Sequence, residues 1–147
     1  MERADLAHLP SVDLLALVAW GEARGEPVEG QLAVMNVVRN RVKRAGWFGA
    51  GYGAVILKPF QFSCLNPEDP NLEKILLLAD ELKDALKDGD QPISQLWWLA
   101  SGIVSDHLTD NVHGATHYFA SSIPAPAWTK ANTPVAVIGH QQFYRLT

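Results

Sequence analysis

The chain has 147 residues, of which 48% are hydrophobic and 19% charged, and its formal net charge is −4 at pH 7. This length suits one domain with a sizeable core, and the composition is that of a folded protein, not a disordered one. The acidic balance disfavours nucleic acid as a partner, since nucleic acids are normally bound by a basic face. No apolar run reaches the roughly 18 residues of a membrane span, so we expect no segment that crosses a bilayer. We also expect the protein to be a monomer.

The first ten residues lack the apolar segment and cleavage site of a secretory signal, so we expect the chain to stay in the cytosol where it is made. We predict one domain with three parts: an N-terminal tail over residues 1–10, a helical core over 11–105 and a β-containing part over 106–147. Cys64 is the single cysteine, which excludes an internal disulfide and a cysteine metal cage. With Phe60, Phe62 and Leu65 around it, we expect Cys64 to be an inert, half-buried thiol.

The apolar spacing predicts four helices. Ser11 is a candidate N-cap for the first helix, which is predicted to run to about Ala23 and to stop at Gly25. Pro27 suits the first position of a second helix that reaches Arg44. The third is predicted from Asp69-Pro70 to about residue 89, and the fourth from Gln91-Pro92 to about residue 105.

The remaining segments are predicted to be irregular or extended. Four glycines among aromatic residues indicate a loop over residues 46–53, while residues 55–65 remain ambiguous between helix and a short extended piece. Residues 134–146 alternate around Gly139-His140, which favours a β-hairpin. The fold class predicted from these elements is α+β, with a mainly helical core and a small β element near the C-terminus.

Glu22 is the candidate catalytic acid. It follows apolar residues of the first helix, and apolar surroundings raise a carboxyl pKa by disfavouring the charged form. A glycosidase needs such a protonated carboxyl to donate to the departing oxygen. The alternative is a structural Glu22 that pairs with Arg24. Glu26 and Glu29 are possible second carboxylates, or simply acids that stabilise the start of the second helix.

His113 and His117 have the i, i+4 spacing of a zinc pair, but Gly114 and the β-like residues after it argue against the helix that this pairing requires. No His-Glu-x-x-His motif is present, so we expect no metal and no other cofactor. A metal-dependent amidase built on His113, His117 and His140 remains an alternative. Trp128 either stacks on a sugar ring or seals the hairpin against the helices.

Four blocks, in this order, resemble the SleB/CwlJ-type cell-wall hydrolases, a family of spore cortex-lytic enzymes and phage endolysins. They are Gly-Glu-Ala-Arg-Gly-Glu at 21–26 with 30–34 and 40–42, Gln-Phe-Ser at 61–63, Gly-Ala-Thr-His-Tyr-Phe at 114–119, and Trp128 followed by Ile-Gly-His-Gln-Gln-Phe-Tyr at 138–144. The first block is the specific one. Trp20 departs from the family, which commonly has tyrosine there.

The resemblance implies a lysozyme-like, mainly helical domain that acts on peptidoglycan glycan strands as a lytic transglycosylase. It implies that Glu22 is the catalytic residue. Within the four blocks we assign seven residues to substrate binding: Glu26, Gln61, Ser63, Thr116, His117, Tyr118 and Trp128. Together with the missing signal, it suggests an endolysin that a holin releases to the wall. A hydrolytic muramidase that uses Glu26 or Glu29 to position water, and a glycan-binding domain without turnover, are the alternatives.

Overall fold

The computed structural model of the chain describes residues 1–44 and 46–146. Over these residues the structure has five α-helices, three β-strands and several short 3-10 turns. The elements are α1 Ser11–Ala23, α2 Val28–Arg44, α3 Gly51–Leu57, α4 Pro70–Asp88, α5 Ile93–Val104, β1 His117–Ala120, β2 Ala136–Ile138 and β3 Gln141–Tyr144. This mainly helical α+β architecture confirms the predicted fold class.

Helix α1 is the centre of the molecule. It packs against all four other helices, and its six consecutive residues from 14 to 19 are all buried. A helix that is apolar on every side belongs inside a protein, because each face needs an apolar partner. The catalytic candidate Glu22 lies in the last turn of this buried helix, and is therefore carried by the most enclosed element of the fold.

The ends of α4 form as predicted. Asp69 accepts a hydrogen bond from the backbone N of Asn71 at 2.8 Å, Pro70 takes the first helical position, and Gly89 follows the helix with a left-handed φ of 71°. The predicted N-cap of α1 is wrong. Pro10, with extended backbone, occupies the cap position, so Ser11 is the first helical residue and its side chain makes no capping bond.

The predicted loop over residues 46–53 is wrong in its second half, because α3 begins at Gly51. Glycine-rich composition argues against a helix, but Val55 and Ile56 are buried and α3 packs on α1 and α2. Tertiary burial therefore outweighs local propensity here. After α3, the chain forms a 3-10 turn over Ser63–Leu65, where an extended piece was one of the alternatives.

The predicted hairpin is present as β2 and β3, which are antiparallel and meet at residues 139 and 140. Strand β1 pairs antiparallel on the other edge of β3, with Tyr118 opposite Phe143, so the sheet order is β1-β3-β2. A second core cluster lies between α2 and this sheet, formed by Ala33, Val37, Val112, Ala115 and Phe143. It fixes the sheet over α2 and so positions the side chains of β1.

The N-terminal segment belongs to the core, although we predicted a tail. Leu6 lies in a 3-10 helix over Arg3–His8 and is fully buried, and Arg3 Nε donates to the carbonyl of Leu65 at 2.8 Å. Burial of Leu6, the Arg3 hydrogen bond and the ion pair of the N-terminal amine with Asp80 together hold this segment against the core. Across the described residues, no helix combines the length and apolar character that crossing a membrane would need.

Candidate active site

Glu22 lines a groove of about 380 Å³, a volume within the size range of sites that bind small molecules. Helices α1 and α2, the segment between α3 and α4, strands β1 and β3 and the segment between β1 and β2 all contribute to its wall. The lining residues are Glu22, Arg41, Phe60, Gln61, Ser63, Tyr118, Phe119, Ala120, Ile123, Pro126, Trp128 and Gln141. Among these described residues, Glu22 carries the one carboxyl group.

The surroundings of Glu22 suit proton transfer near neutral pH. Burial raises its pKa from 4.5 to about 7, and the negative charge of Asp69 acts in the same direction. A hydrogen bond from Tyr118 and the charge of Arg41 act the other way, because both stabilise the carboxylate. Since burial dominates, the acid and the carboxylate are both accessible around pH 7, as a general acid/base requires.

The alternative in which Arg24 neutralises Glu22 is wrong. Arg24 Nη1 donates to the carbonyl of Trp20 at 3.0 Å, and Nη2 donates to Asn71 Oδ1 at 2.9 Å. The guanidinium also lies over the Trp20 ring, 4.1 Å from its centroid. Arg24 therefore caps the carbonyls at the end of α1 and ties α1 to α4, and Glu22 remains available to the groove.

Gly21 allows the chain after α3 to approach Glu22. A Cβ atom at this position would lie 2.7 Å from Cys64 Sγ and 2.8 Å from the Ile75 side chain, too close for any side chain. The close contact places Ser63 beside the end of α1 and buries Cys64, whose thiol lies 3.9 Å from the Val18 carbonyl. Cys64 is fully buried and not half-buried as predicted, and burial raises its thiol pKa, which favours the predicted inert role.

Tyr118 and Arg41 are the polar neighbours of Glu22. Tyr118 Oη donates to Glu22 Oε1 at 3.4 Å, and burial holds the tyrosine pKa well above its usual value, so the donor stays protonated. Arg41 Nε donates to the Thr116 carbonyl at 2.8 Å. Arg41 is not among the site residues predicted from the sequence. Its signal there is a cation three residues after Val38, on the apolar face of the predicted second helix, where an unpaired charge would be costly to bury.

Thr116 and His117 lie behind the groove wall, so the predicted direct contact with substrate is not supported for either. Thr116 is fully buried, and its Oγ1 is 2.9 Å from His117 Nδ1. The His117 ring packs edge-on to Trp128 at a centroid distance of 5.2 Å. Burial, with the charges of Arg41 and Arg44, lowers the pKa of His117 to about 4, so its ring is neutral at pH 7. Both residues support the wall residues Arg41 and Trp128.

Glu26 does not line the groove either. Its Oε2 is buried 3.8 Å from His140 Nδ1, under the turn that joins β2 to β3. Gly139 in that turn has a φ of 57°, and a Cβ there would lie 2.9 Å from Glu26 Oε2. Glu29 is exposed in the first turn of α2. Neither acid is among the residues that line the groove, so the structure does not place a second carboxylate from this pair beside Glu22.

Trp128 packs on the sheet and also lines the groove, while its stacking on a sugar ring stays a prediction. It packs edge-to-face on Phe119 and Tyr144, at centroid distances of 6.0 and 5.1 Å, and so closes the sheet. It is also half-buried and lines the groove, where part of the ring faces the cavity.

A turn at the edge of the groove presents Phe60. Gln61 N donates to the Lys58 carbonyl at 3.2 Å, Pro59 holds the second position of this turn, and Phe60 holds the third with a φ of 63°. This is the type II pattern, in which the third position normally takes glycine. A left-handed conformation costs a non-glycine residue roughly 1–2 kcal/mol. This turn was not predicted from the sequence, in which the Pro59-Phe60 pair is its signal.

His113 and His117 do not lie on one helix, which zinc binding through their i, i+4 spacing requires. His113 is exposed in a loop with a φ of 51°, while His117 begins β1. Across residues 1–44 and 46–146, no three His, Cys, Asp or Glu side chains are grouped as a metal ion would need.

Comparison with known proteins identifies close relatives of the domain. A model of the cell wall hydrolase family matches residues 25–144. A spore cortex-lytic enzyme of Oceanobacillus iheyensis is 39% identical over 72 residues, covering 44% of this chain and 26% of that enzyme. The enzyme of the same name from Halalkalibacterium halodurans is 28% identical over 134 residues, covering 90% of this chain and 34% of that one. The chain thus spans about a quarter to a third of these relatives.

Two solved structures share the fold. The catalytic domain of the Bacillus cereus SleB protein aligns with a TM-score of 0.65 and 24% identity, over 92% of this chain and 89% of that one. The catalytic domain of the germination-specific lytic transglycosylase SleB from Bacillus anthracis gives 0.64 and 23%, over 92% and 93%.

The family match starts at Gly25, three residues after Glu22, so the placement of Glu22 in the groove is an independent observation. The match covers most of the chain and confirms the resemblance drawn from the sequence: the chain belongs to the SleB/CwlJ-type family of cell wall hydrolases.

Proposed function

We propose that this domain cleaves the glycan strands of peptidoglycan as a lytic transglycosylase, with Glu22 as both acid and base. The observation that carries the proposal is the single carboxyl of the groove, whose pKa burial raises to about 7. Glycosidases that activate water generally use two carboxylates, one as acid and one as base or nucleophile. A reaction with an intramolecular nucleophile needs only one. The relatives named spore cortex-lytic enzymes and the fold shared with the SleB domains support the same substrate class.

In the proposed reaction one proton leaves Glu22 and returns to it in each turnover. Protonated Glu22 donates to the oxygen between N-acetylmuramic acid and N-acetylglucosamine, and the bond from that oxygen to the muramic anomeric carbon breaks. The C6 hydroxyl of the same muramic residue then bonds to the anomeric carbon and gives its proton back to Glu22. The product is a 1,6-anhydromuramic end, and no water is consumed. Holding the hydroxyl in the same ring as the reacting carbon provides a large proximity advantage.

Tyr118 and Arg41 assist this cycle from fixed positions. After the first proton transfer Glu22 is a carboxylate, and the Tyr118 hydroxyl and the Arg41 cation both stabilise that charge. Because burial favours the neutral acid and these two groups favour the anion, Glu22 can move between both forms in one turnover. Gln61 and Ser63 line the same groove and are placed to bind sugar hydroxyl or acetamide groups.

Product mass analysis tests the proposal. Purified peptidoglycan is digested and the muropeptides are weighed, and we expect anhydromuramic ends, each lighter by one water than a hydrolysed end. Hydrolysed ends from the first time point onward would instead establish a muramidase. We expect Glu22→Gln to lower the turnover rate by a factor of about 100 to 10,000, the usual contribution of general acid–base catalysis. The matched control is Glu73→Gln, the same change at an exposed site on α4, which should keep wild-type turnover.

A further inference from the structure

We infer that Phe60 is a sugar-stacking platform at the mouth of the groove, where its ring binds the apolar face of a pyranose in the glycan strand. The inference rests on the proposed function and adds a substrate-binding residue that the family blocks did not include. It starts from an unusual combination of features, because an aromatic residue occupies a left-handed turn position that normally takes glycine, and its side chain is 82% exposed.

The fold gives no reason for this side chain. Phe62, two residues later, is the aromatic residue that this segment buries, with 2% exposure. Other exposed aromatic residues have partners: Lys58 Nζ lies 3.6 Å from the centroid of the Trp47 ring, and Trp98 packs edge-on to Trp97 at 6.1 Å. For Phe60, the described part of the chain supplies no stacked ring or cation. Backbone strain that serves no packing is typical of functional sites.

The surroundings of Phe60 match a sugar. The turn that presents Phe60 also carries Gln61, and Ser63 follows, so one short segment offers an apolar surface and polar groups to the groove that contains Glu22. A pyranose also combines an apolar and a polar surface, because its face consists of C–H groups and its edge of hydroxyl and acetamide groups. Trp128 provides a second aromatic surface in the same groove. A purely apolar partner would leave the nearby polar groups unpaired, which disfavours it.

Binding is measured in the Glu22→Gln background, so that the strand is not cut, by pelleting the protein with insoluble purified peptidoglycan. Phe60→Gly removes the ring but suits the left-handed turn. We therefore expect its melting temperature to equal or exceed that of the parent, while its affinity falls about tenfold, or about 1.4 kcal/mol. Phe60→Tyr keeps the ring and should bind within about twofold of the parent. Trp98→Ala removes an aromatic that is 73% exposed outside the groove, and should bind like the parent.

Lysis rates of the same variants with an intact Glu22 provide the second measurement. A binding platform predicts that Phe60→Gly is slow at low peptidoglycan concentration and approaches the wild-type rate at saturation. Equal binding by Phe60→Gly and the parent, or equal losses in Phe60→Gly and Trp98→Ala, would refute the platform. The proposed function is judged separately: if wild type cleaves without anhydro ends, the mechanism fails while the pelleting result still decides Phe60. If wild type neither binds nor cleaves, both are refuted.

Discussion

At the scale of single residues, burial and three neighbouring groups together set the protonation state of Glu22. Burial and Asp69 favour the neutral acid, and Tyr118 and Arg41 favour the carboxylate. A buried carboxyl without these neighbours would be a poor base, and an exposed one would be a poor acid at pH 7. The groove therefore gives Glu22 the protonation behaviour that the proposed acid and base roles both require.

The contribution of Tyr118 is tested by Tyr118→Phe, which removes the hydroxyl that donates to Glu22 and keeps the ring stacked on Phe143. The first step needs protonated Glu22, so the rate falls as pH rises through the Glu22 pKa. Loss of a bond to the carboxylate raises that pKa, and we expect the alkaline limb of kcat/KM to move to higher pH. We also expect turnover to fall about two- to tenfold, since one hydrogen bond to the carboxylate is lost.

The matched control for Tyr118→Phe is Tyr144→Phe. Tyr144 lies in the same sheet, but its hydroxyl bonds to Gln142 at 3.1 Å. We expect the pH profile of this variant to match wild type. A shift of the limb to lower pH in Tyr118→Phe, or equal shifts in both variants, would contradict the assigned role of the Tyr118 hydroxyl.

At the scale of elements, the N-terminus of α4 connects helix capping to the acid. Asp69 caps α4 through Asn71 N at 2.8 Å, and its negative charge also raises the pKa of Glu22. The end of α1 and the start of α4 are thus linked electrostatically as well as by packing. Asp69 therefore affects both the stability of α4 and the pKa of Glu22, and the choice of substitution separates the two effects.

Asp69→Asn keeps a good cap and removes the charge, so unfolding free energy should change by less than about 1 kcal/mol. The alkaline limb of kcat/KM should move to lower pH, because the repulsion that opposes ionisation of Glu22 is gone. Asp69→Ala removes the cap too, and should lower the unfolding free energy by about 1 kcal/mol relative to Asp69→Asn, with a similar pH shift. Urea unfolding and pH–rate profiles measure both effects. An unshifted limb in both variants would show that the charge of Asp69 does not reach Glu22.

At the scale of the whole molecule, the raised pKa of Glu22 makes the free energy of unfolding depend on pH. The pKa of Glu22 is about 7 in the folded chain and 4.5 as the reference value. Below pH 4.5 Glu22 is protonated in both the folded and the unfolded chain, so its raised pKa does not reduce the free energy of unfolding there. As pH rises through 7, the folded chain must hold a buried charge and stability is lost.

Glu22→Gln is neutral at every pH, so it should be more stable than wild type above pH 7. We call the difference in unfolding free energy between the variant and wild type the gap. At about 1.4 kcal/mol for each tenfold change in proton affinity, this gap is roughly 3 kcal/mol at pH 8. It should close as pH falls to 4.5. Urea unfolding across this range measures the gap, and Glu73→Gln, at an exposed site, should show no pH-dependent gap. A gap that is constant with pH would mean that the charge of Glu22 is not the cause.

The sequence by itself determined what depends on neighbouring residues. Periodic apolar positions specify α1, α2, α4 and α5, the Asp-Pro pair begins α4, and the alternation around Gly139 specifies the hairpin, because propensity, capping and burial pattern act over a few residues. The apolar run before Glu22 was enough to predict a raised pKa, and the block at 21–26 was enough to indicate the family.

Only the tertiary structure decided which distant groups meet. Thr116 and His117 are adjacent to Tyr118 in sequence, yet only Tyr118 faces Glu22, because β1 pairs with β3 in one register and the sheet packs on α2. Arg41 and Phe60 enter the groove from two other elements, and Glu26 is taken out of it by the turn at Gly139. Such contacts join residues tens of positions apart, and local preferences contain no information about that distance.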